Sequence, residues 1–349
     1  MTHHLAPFDD LKIISSTQPD PDAFTLCAIA RNEMYFLPAF LAHYRKLGVE
    51  QFAILNDRSD DGTTEYLLAQ PDVVMLSSNY AYGDTVELSE TLEGLISRGR
   101  ILYIWRSLLF DRFAKGRWGV QVDLDELIHL PEGTTFQDLA RRLDAEQAQV
   151  AMGVMLDLYP ADLATLAAQR DDKHLDPDTG WYFDGEPHLA LLAASPPKMQ
   201  HPGARARLYQ TYGLTELYPK FGITTPMSRF RRMRKTRLGL RILPYNTVHK
   251  PVMAKWPDGA LFSSSHNTNI AASTQVLLPM PHYRFTGALY RKIETAIREN
   301  SYSAGSRDHH LMAELLKRMG EKKGVFTYRK SLPLGDFDAF RKGGIALGL

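Results

Sequence analysis

A short apolar run, Trp118-Gly119-Val120-Gln121-Val122, stops abruptly at Asp123-Leu124-Asp125-Glu126. A strand interior does not tolerate three acids, so they must stand where the strand leaves its sheet. Side chains alternate along an extended chain, so Asp123 and Asp125, two residues apart, project to the same side. Such a pair can hold a hard divalent cation, directly or through its water, with positions left over for diphosphate oxygens. The bland alternative is a solvated strand end or a helix N-cap. A bare Asp-x-Asp does not decide between them.

The surrounding pattern narrows the choice. Phe24 to Ala30 reads as a buried strand, broken by Arg31-Asn32-Glu33. A helix follows from about Leu37, with Phe36, Leu37, Phe40, Leu41, Tyr44 and Leu47 at helical spacing and Gly48 as its stop. Gln51 to Leu55 is a strand, Asn56 to Gly62 a polar loop, Thr63 to Ala69 a helix and Val73 to Leu76 a strand. Further helices are expected over 92–114 and 136–143, with a strand over 150–156 between such segments and the rest. Strands that alternate with helices predict an α/β fold: a mostly parallel sheet with helices on both faces. Ligands in such sheets collect at the carboxyl ends of strands. The polar clusters at 31–33, 56–61 and 123–126 all fall at those ends.

From 157 to 274 the chain is loop-rich, with Pro-Pro at 196–197 and a basic run of six arginines and one lysine from Arg229 to Arg241. Helices are expected again over 285–300 and 309–319, before a Gly-rich tail. A net charge of +1 argues against a nucleic-acid partner, and the basic run suits an anionic membrane surface, a phosphate-bearing acceptor or plain solvent. The single cysteine, Cys27, excludes an internal disulfide and a multi-cysteine zinc site, and its neighbours make it a buried small hydrophobe. No leader pattern and no apolar run long enough to span a bilayer is seen, so a cytoplasmic place is expected, with peripheral membrane contact through Arg229–Arg241 left open.

Absent motifs exclude other chemistry. There is no G-x-x-x-x-G-K-[ST] loop, no G-x-G-x-x-G after the first strand, no G-x-S-x-G and no H-E-x-x-H. In Asn56-Asp57-Arg58-Ser59-Asp60-Asp61-Gly62, Asp60 or Asp61 serves as a cap and Gly62 relieves a turn. Asp57, ending the second strand, is placed for a nucleotide base or ribose.

The ordered set of Arg31-Asn32-Glu33, His43-Tyr44-Arg45, Asn56 to Gly62 and Trp118 to Glu126 resembles glycosyltransferase family 2, of the GT-A type. The similarity is greatest to a bacterial branch with R-N-E and D-x-D-E motifs, and Gly203 to Arg207, Lys250-Pro251, Ser265-His266 and His282 to Phe285 extend it. The resemblance implies a GT-A fold, a nucleotide-sugar donor, a carbohydrate or glycolipid acceptor, Mn²⁺ or Mg²⁺ at the Asp-x-Asp, and inversion. It divides the chain into a lead-in over 1–22, a nucleotide-sugar-binding core over 23–156 and an acceptor-side region with C-terminal helices over 157–349. Asp125 is expected on the metal, and Asp123 on the ribose or a metal-bound water. His282 or His266 would supply a third metal ligand, and Glu126 would orient its neighbours. Arg31, Glu33 and Asp57 would line the nucleotide. Arg205 and Arg207 would clamp diphosphate or an anionic acceptor, unless they are a solvated strand face. Asp157, Asp184 and Glu186 are available as general base, with Asp184 or Glu186 preferred because Trp181, Tyr182 and Phe183 could stack on a sugar. A sugar nucleotidyltransferase and a non-catalytic carbohydrate-binding protein are the alternatives.

Overall fold

The computed structural model describes residues 2–5, 10–88, 98–192, 195–214, 247–299 and 303–349. An eight-stranded sheet organises it: β1 (Lys12–Ile13), β2 (Thr25–Ala30), β3 (Gln51–Asn56), β4 (Val73–Ser77), β5 (Trp118–Gln121), β6 (Val150–Asp157), β7 (His249–Lys255) and β8 (Ala272–His282). Their spatial order is β8-β6-β7-β5-β2-β3-β4-β1. Six strands run in one direction, because β2 is parallel to β3 and β5, β3 to β4, and β8 to β6, while β7 opposes both of its neighbours. β1 opposes β4 at the other edge. All residues of β3 and β5 are buried, as strands covered on both faces require. The architecture is mixed α/β with a large, mostly parallel central sheet.

Helix α1 (Leu37–Lys46) buries Leu37, Phe40, Leu41 and Tyr44 and takes its proline in the first turn, where a missing N–H costs nothing. Gly48, at φ +88°, turns the chain out of it into β3. Helix α2 (Thr63–Leu68) joins β3 to β4. Helix α3 (Ile101–Phe113) is shorter than the expected 92–114, since residues 98–100 form a short strand against Thr85–Leu88. Helix α4 (Phe136–Ala145) starts at a capping box in which Thr135 and Asp138 satisfy each other's backbone N–H.

Two strands of the sheet, β7 and β8, come from beyond residue 156, where the sequence pattern ended the core. Pro251 in β7 and Pro279 and Pro281 in β8 hide them, because proline ordinarily argues against a strand. A second apolar cluster joins α5 (Leu163–Ala168), α6 (Ala204–Thr211), α7 (Ala288–Glu299) and α8 (Ser303–Glu321) through Leu166, Leu208, Leu289, Met312, Leu315 and Phe285. Cys27 is fully buried, and burial pushes its thiol far up. The basic run Arg229–Arg241 lies outside the described residues. Among the described residues no helix is long and apolar enough to cross a membrane.

Candidate functional site

Strand direction decides where the polar clusters meet. The carboxyl ends of β2, β3, β5, β6 and β8 lie at one edge of the sheet, and the reversed β7 begins there. Those ends deliver Arg31 and Glu33, Asp57, Asp123 to Glu126, Asp157, His282, and from β7 Lys250.

The first two loops are knitted together. Asn32 N–H donates to Ser59 Oγ (3.0 Å), Glu33 N–H to Thr63 Oγ1 (3.0 Å) and Met34 N–H to Asp61 Oδ2 (3.0 Å), while Asp60 N–H donates to Asn32 Oδ1 (2.9 Å). Asp61 Oδ1 also accepts from Thr63 N–H at the start of α2 (3.1 Å). Asn32 and Arg58 sit in the left-handed region, at φ 57° and 54°, a strain that such cross-bracing sustains. Asp57 is buried, accepts from Tyr82 N–H (3.0 Å) and pairs with Arg31 (3.4 Å).

Behind the Asp-x-Asp stands a buried charge network. Lys250, 1 % exposed, donates to Asp123 Oδ2 (2.7 Å) and Glu126 Oε2 (2.6 Å). Arg106 on α3 donates to Asp123 Oδ1 (2.6 Å). Glu126 Oε2 also accepts from Asp123 N–H (2.8 Å). The Tyr44 hydroxyl donates to Glu126 O and accepts from Ile128 N–H, pinning the loop to α1. Asp125 is left at the front, with His282 Nε2 and Lys292 Nζ each 3.6 Å from its Oδ2. Burial works against ionising Asp125, but Lys292, His282 and Arg284 hold its carboxyl well below the usual range.

Lys292 on α7 links the two halves of the edge, because it also lies 3.0 Å from Glu33 Oε2. Burial raises Glu33 and Lys292 opposes it, with Asp125 adding to the rise, and the result is about 7. His282 Nδ1 donates to Asp157 Oδ1 (2.7 Å). Burial alone would lower His282, yet Asp125 and Asp157 push it up to about 9. His282 thus bridges Asp125 and Asp157 as an ion pair in this structure.

Several expectations are corrected. Arg205 and Arg207 belong to α6, not to a strand, and both are spent on acids of the chain. Arg205 Nε donates to Asp157 (2.7 Å), and Arg207 donates twice to Asp184 (2.9 and 2.8 Å) while lying over the Tyr328 ring. Neither is available as a diphosphate clamp. Asp184, 1 % exposed, also accepts from the Tyr159 hydroxyl (2.7 Å). All three bonds tie Asp184 to neighbours of the chain, so it serves the fold. Glu186 pairs with Lys330 and accepts from Tyr328 (2.8 Å), so it too serves the fold. His266 bonds His249 O (2.8 Å) and lies near Lys250 and Arg106, and burial holds it down to about 4. It stands beside cations, and no hydrogen bond or ion pair joins it to Asp125 among the described residues.

The carboxylate oxygens are of the kind that Mn²⁺ or Mg²⁺ takes, but among the described residues no three His, Cys, Asp or Glu side chains are grouped to hold an ion. The buried polar atoms left over at this edge include donors: Arg106 Nε and Nη1 and Arg284 Nε have no hydrogen-bond partner among the described residues. Donors call for an oxygen, not a cation. An acceptor, Glu33 Oε2, is left over as well, so the edge offers groups to both an oxyanion and a cation, and the described residues alone do not close a metal centre.

The sequence pattern named Asp57, Asp123, Asp125, Arg31 and Glu33, which the structure brings to one edge, and did not name Arg106 and Lys292 there. An arginine or lysine on an amphipathic helix carries no mark that its charge turns inward. For Lys292 the available signal was its position ten residues beyond His282, inside the helix that follows β8.

No family model and no curated protein matches this chain. Among solved structures, a UTP-bound UGPase from Acinetobacter baumannii aligns over 92% of this chain and 92% of its own, at 9% identity and a TM-score of 0.26. A UDP-glucose pyrophosphorylase from the same organism aligns over 47% of this chain and 66% of its own, at 12% identity and a TM-score of 0.23. Similarity this low transfers neither fold nor activity.

Proposed function

We propose that this protein is a glycosyltransferase of the GT-A type. It moves a sugar from a nucleotide-sugar donor, a UDP-sugar in the first instance, to a hydroxyl of a polysaccharide or glycolipid acceptor. One observation supports the reading above all: Asp57–Arg31 and Glu33–Lys292–Asp125 form adjoining ion pairs along one carboxyl edge of a mostly parallel sheet. That edge is where such sheets bind nucleotides.

In the transfer the bond from the anomeric carbon to the diphosphate oxygen breaks, and the acceptor oxygen bonds that carbon. Charge then grows on the departing diphosphate, and preorganised cations lower its energy without reorganising. Asp57, at the end of β3, is the acceptor for base or ribose groups. Attack from the face opposite the leaving group inverts the anomeric centre, and the acceptor proton needs a base. Glu33, raised to about 7 and partly exposed, is the group of this edge suited to take it. Mn²⁺ or Mg²⁺ belongs to this reading only as a Lewis acid arriving with the diphosphate.

The test is release of nucleoside diphosphate from a panel of nucleotide sugars. Wild type is expected to turn over at least one donor. Asp125→Asn should cut turnover about 100-fold or more in a protein that still melts cooperatively, at a temperature lowered by the lost His282 pairing. Pyrophosphate release from a nucleoside triphosphate would assign a sugar nucleotidyltransferase instead, and glycan binding without turnover a carbohydrate-binding protein.

A further inference from the structure

We propose that Lys292 and Arg284 form the clamp for the second phosphate of the nucleotide diphosphate. The inference rests on the nucleotide-sugar reading above and deepens it. A diphosphate entering this edge brings negative charge to a place already occupied by Glu33 and Asp125. It needs cations that can change partners.

Lys250, Arg106 and Arg205 are poorly placed to do so. Lys250 and Arg106 are 1 % and 2 % exposed and hold Asp123 and Glu126 at 2.6–2.7 Å. Drawing Lys250 away leaves the buried Glu126 carboxylate uncompensated, which costs far more than losing a surface pair. Arg205 is committed to Asp157 (2.7 Å) in the same way.

Lys292 is more accessible. Its side chain keeps 24% of its exposure, and it is shared between both Glu33 oxygens, at 3.0 and 3.1 Å, and Asp125 at 3.6 Å, the last beyond hydrogen-bond length. Its ammonium lies 4.7 Å over the Phe36 ring, an apolar support that restricts its stem without binding its charge in a hydrogen bond. A lysine's flexible stem lets the ammonium move from two carboxylates to a phosphate with little backbone change.

Arg284 stands two residues past His282 and acts electrostatically on Asp125, and its Nε–H has no partner among the described residues. Both cations lie on the segment that leaves β8. Its position is fixed where Gly287 meets the Gln169 backbone: a Cβ there would stand 1.8 Å from the Gln169 carbonyl oxygen.

The experiment is titration calorimetry with UDP and UMP, in Mg²⁺ buffer, for wild type, Lys292→Met, Lys292→Gln, Lys292→Arg and Arg284→Gln. Wild type should bind UDP more tightly than UMP. Lys292→Met should weaken UDP about tenfold or more, the size of one charge-assisted hydrogen bond, while moving UMP less than about twofold. Lys292→Arg should keep most of the preference, and Arg284→Gln should lose part of it. Lys292→Gln, neutral and polar, stands in where the methionine variant does not fold. A neutral Lys292 variant that keeps the wild-type preference overturns the clamp and leaves the nucleotide reading standing, as does an equal loss for UDP and UMP. Wild type binding neither nucleotide overturns both.

Discussion

At the scale of residues, the site is a set of acids each answered by a cation of the chain, and that pairing gives it a pH signature. His282 is raised from 6.5 to about 9, so its bridge contributes fully below about pH 6.5 and is lost as pH rises through about 9. Melting temperature should therefore fall across that window, by up to about 3 kcal/mol of stability, and His282→Gln should flatten the slope. Parallel slopes for the two proteins would remove the bridge. Glu33, raised to about 7, makes a separate prediction for rate. If it takes the acceptor proton, kcat/KM rises with pH through about 7, and Glu33→Gln abolishes that limb. Asp184 supplies the contrast. Asp184→Asn leaves Arg207 short of its buried partner and should cost about 3–5 kcal/mol in stability with nucleotide affinity intact. A stable Asp184→Asn protein without turnover would restore Asp184 as the base. The sequence displayed these acids because carboxylates at strand ends break an apolar pattern. It could not display Arg207 turning onto Asp184, since that contact joins two segments through α6.

Elements explain why the edge holds its shape. The loops after β2 and β3 brace one another through Asn32, Ser59, Asp61 and Thr63, and the loop after β5 is pinned by Tyr44 and Lys250. Helix α7 is set by the contact at Gly287. Gly287→Ala should push that segment off Gln169, costing about 1–3 kcal/mol, and displace Lys292 with it. The expected readout is a lower melting temperature together with weaker UDP binding. A protein that melts lower yet binds UDP as before would show that α7 does not position the site. Strands β2 to β6 and helices α1 and α4 were legible because their apolar periodicity is local. β7 was not, because a strand with a central proline, buried between β5 and β6, is defined by partners about 100 residues or more away in sequence. The register of Arg205 and Arg207 was misread for a related reason: two residues apart suits one strand face, but α6 reaches two different acids from one turn.

Across the whole molecule, one topological fact makes the functional account possible. Six strands share a direction, so clusters separated by more than 200 residues, from Arg31 to His282, arrive at the same edge. The strand–helix alternation announced that edge, but the charge balance within it emerged only from the fold. The central claim is that Asp57 and Asp125 serve a single crevice for a nucleoside diphosphate. Titration calorimetry of UDP against wild type, Asp57→Asn and Asp125→Asn measures this directly. The account predicts binding by wild type and a loss of about tenfold or more in each variant, with melting temperatures that show both folded. UDP binding left unchanged by either substitution, or absent from the wild-type protein, would contradict it.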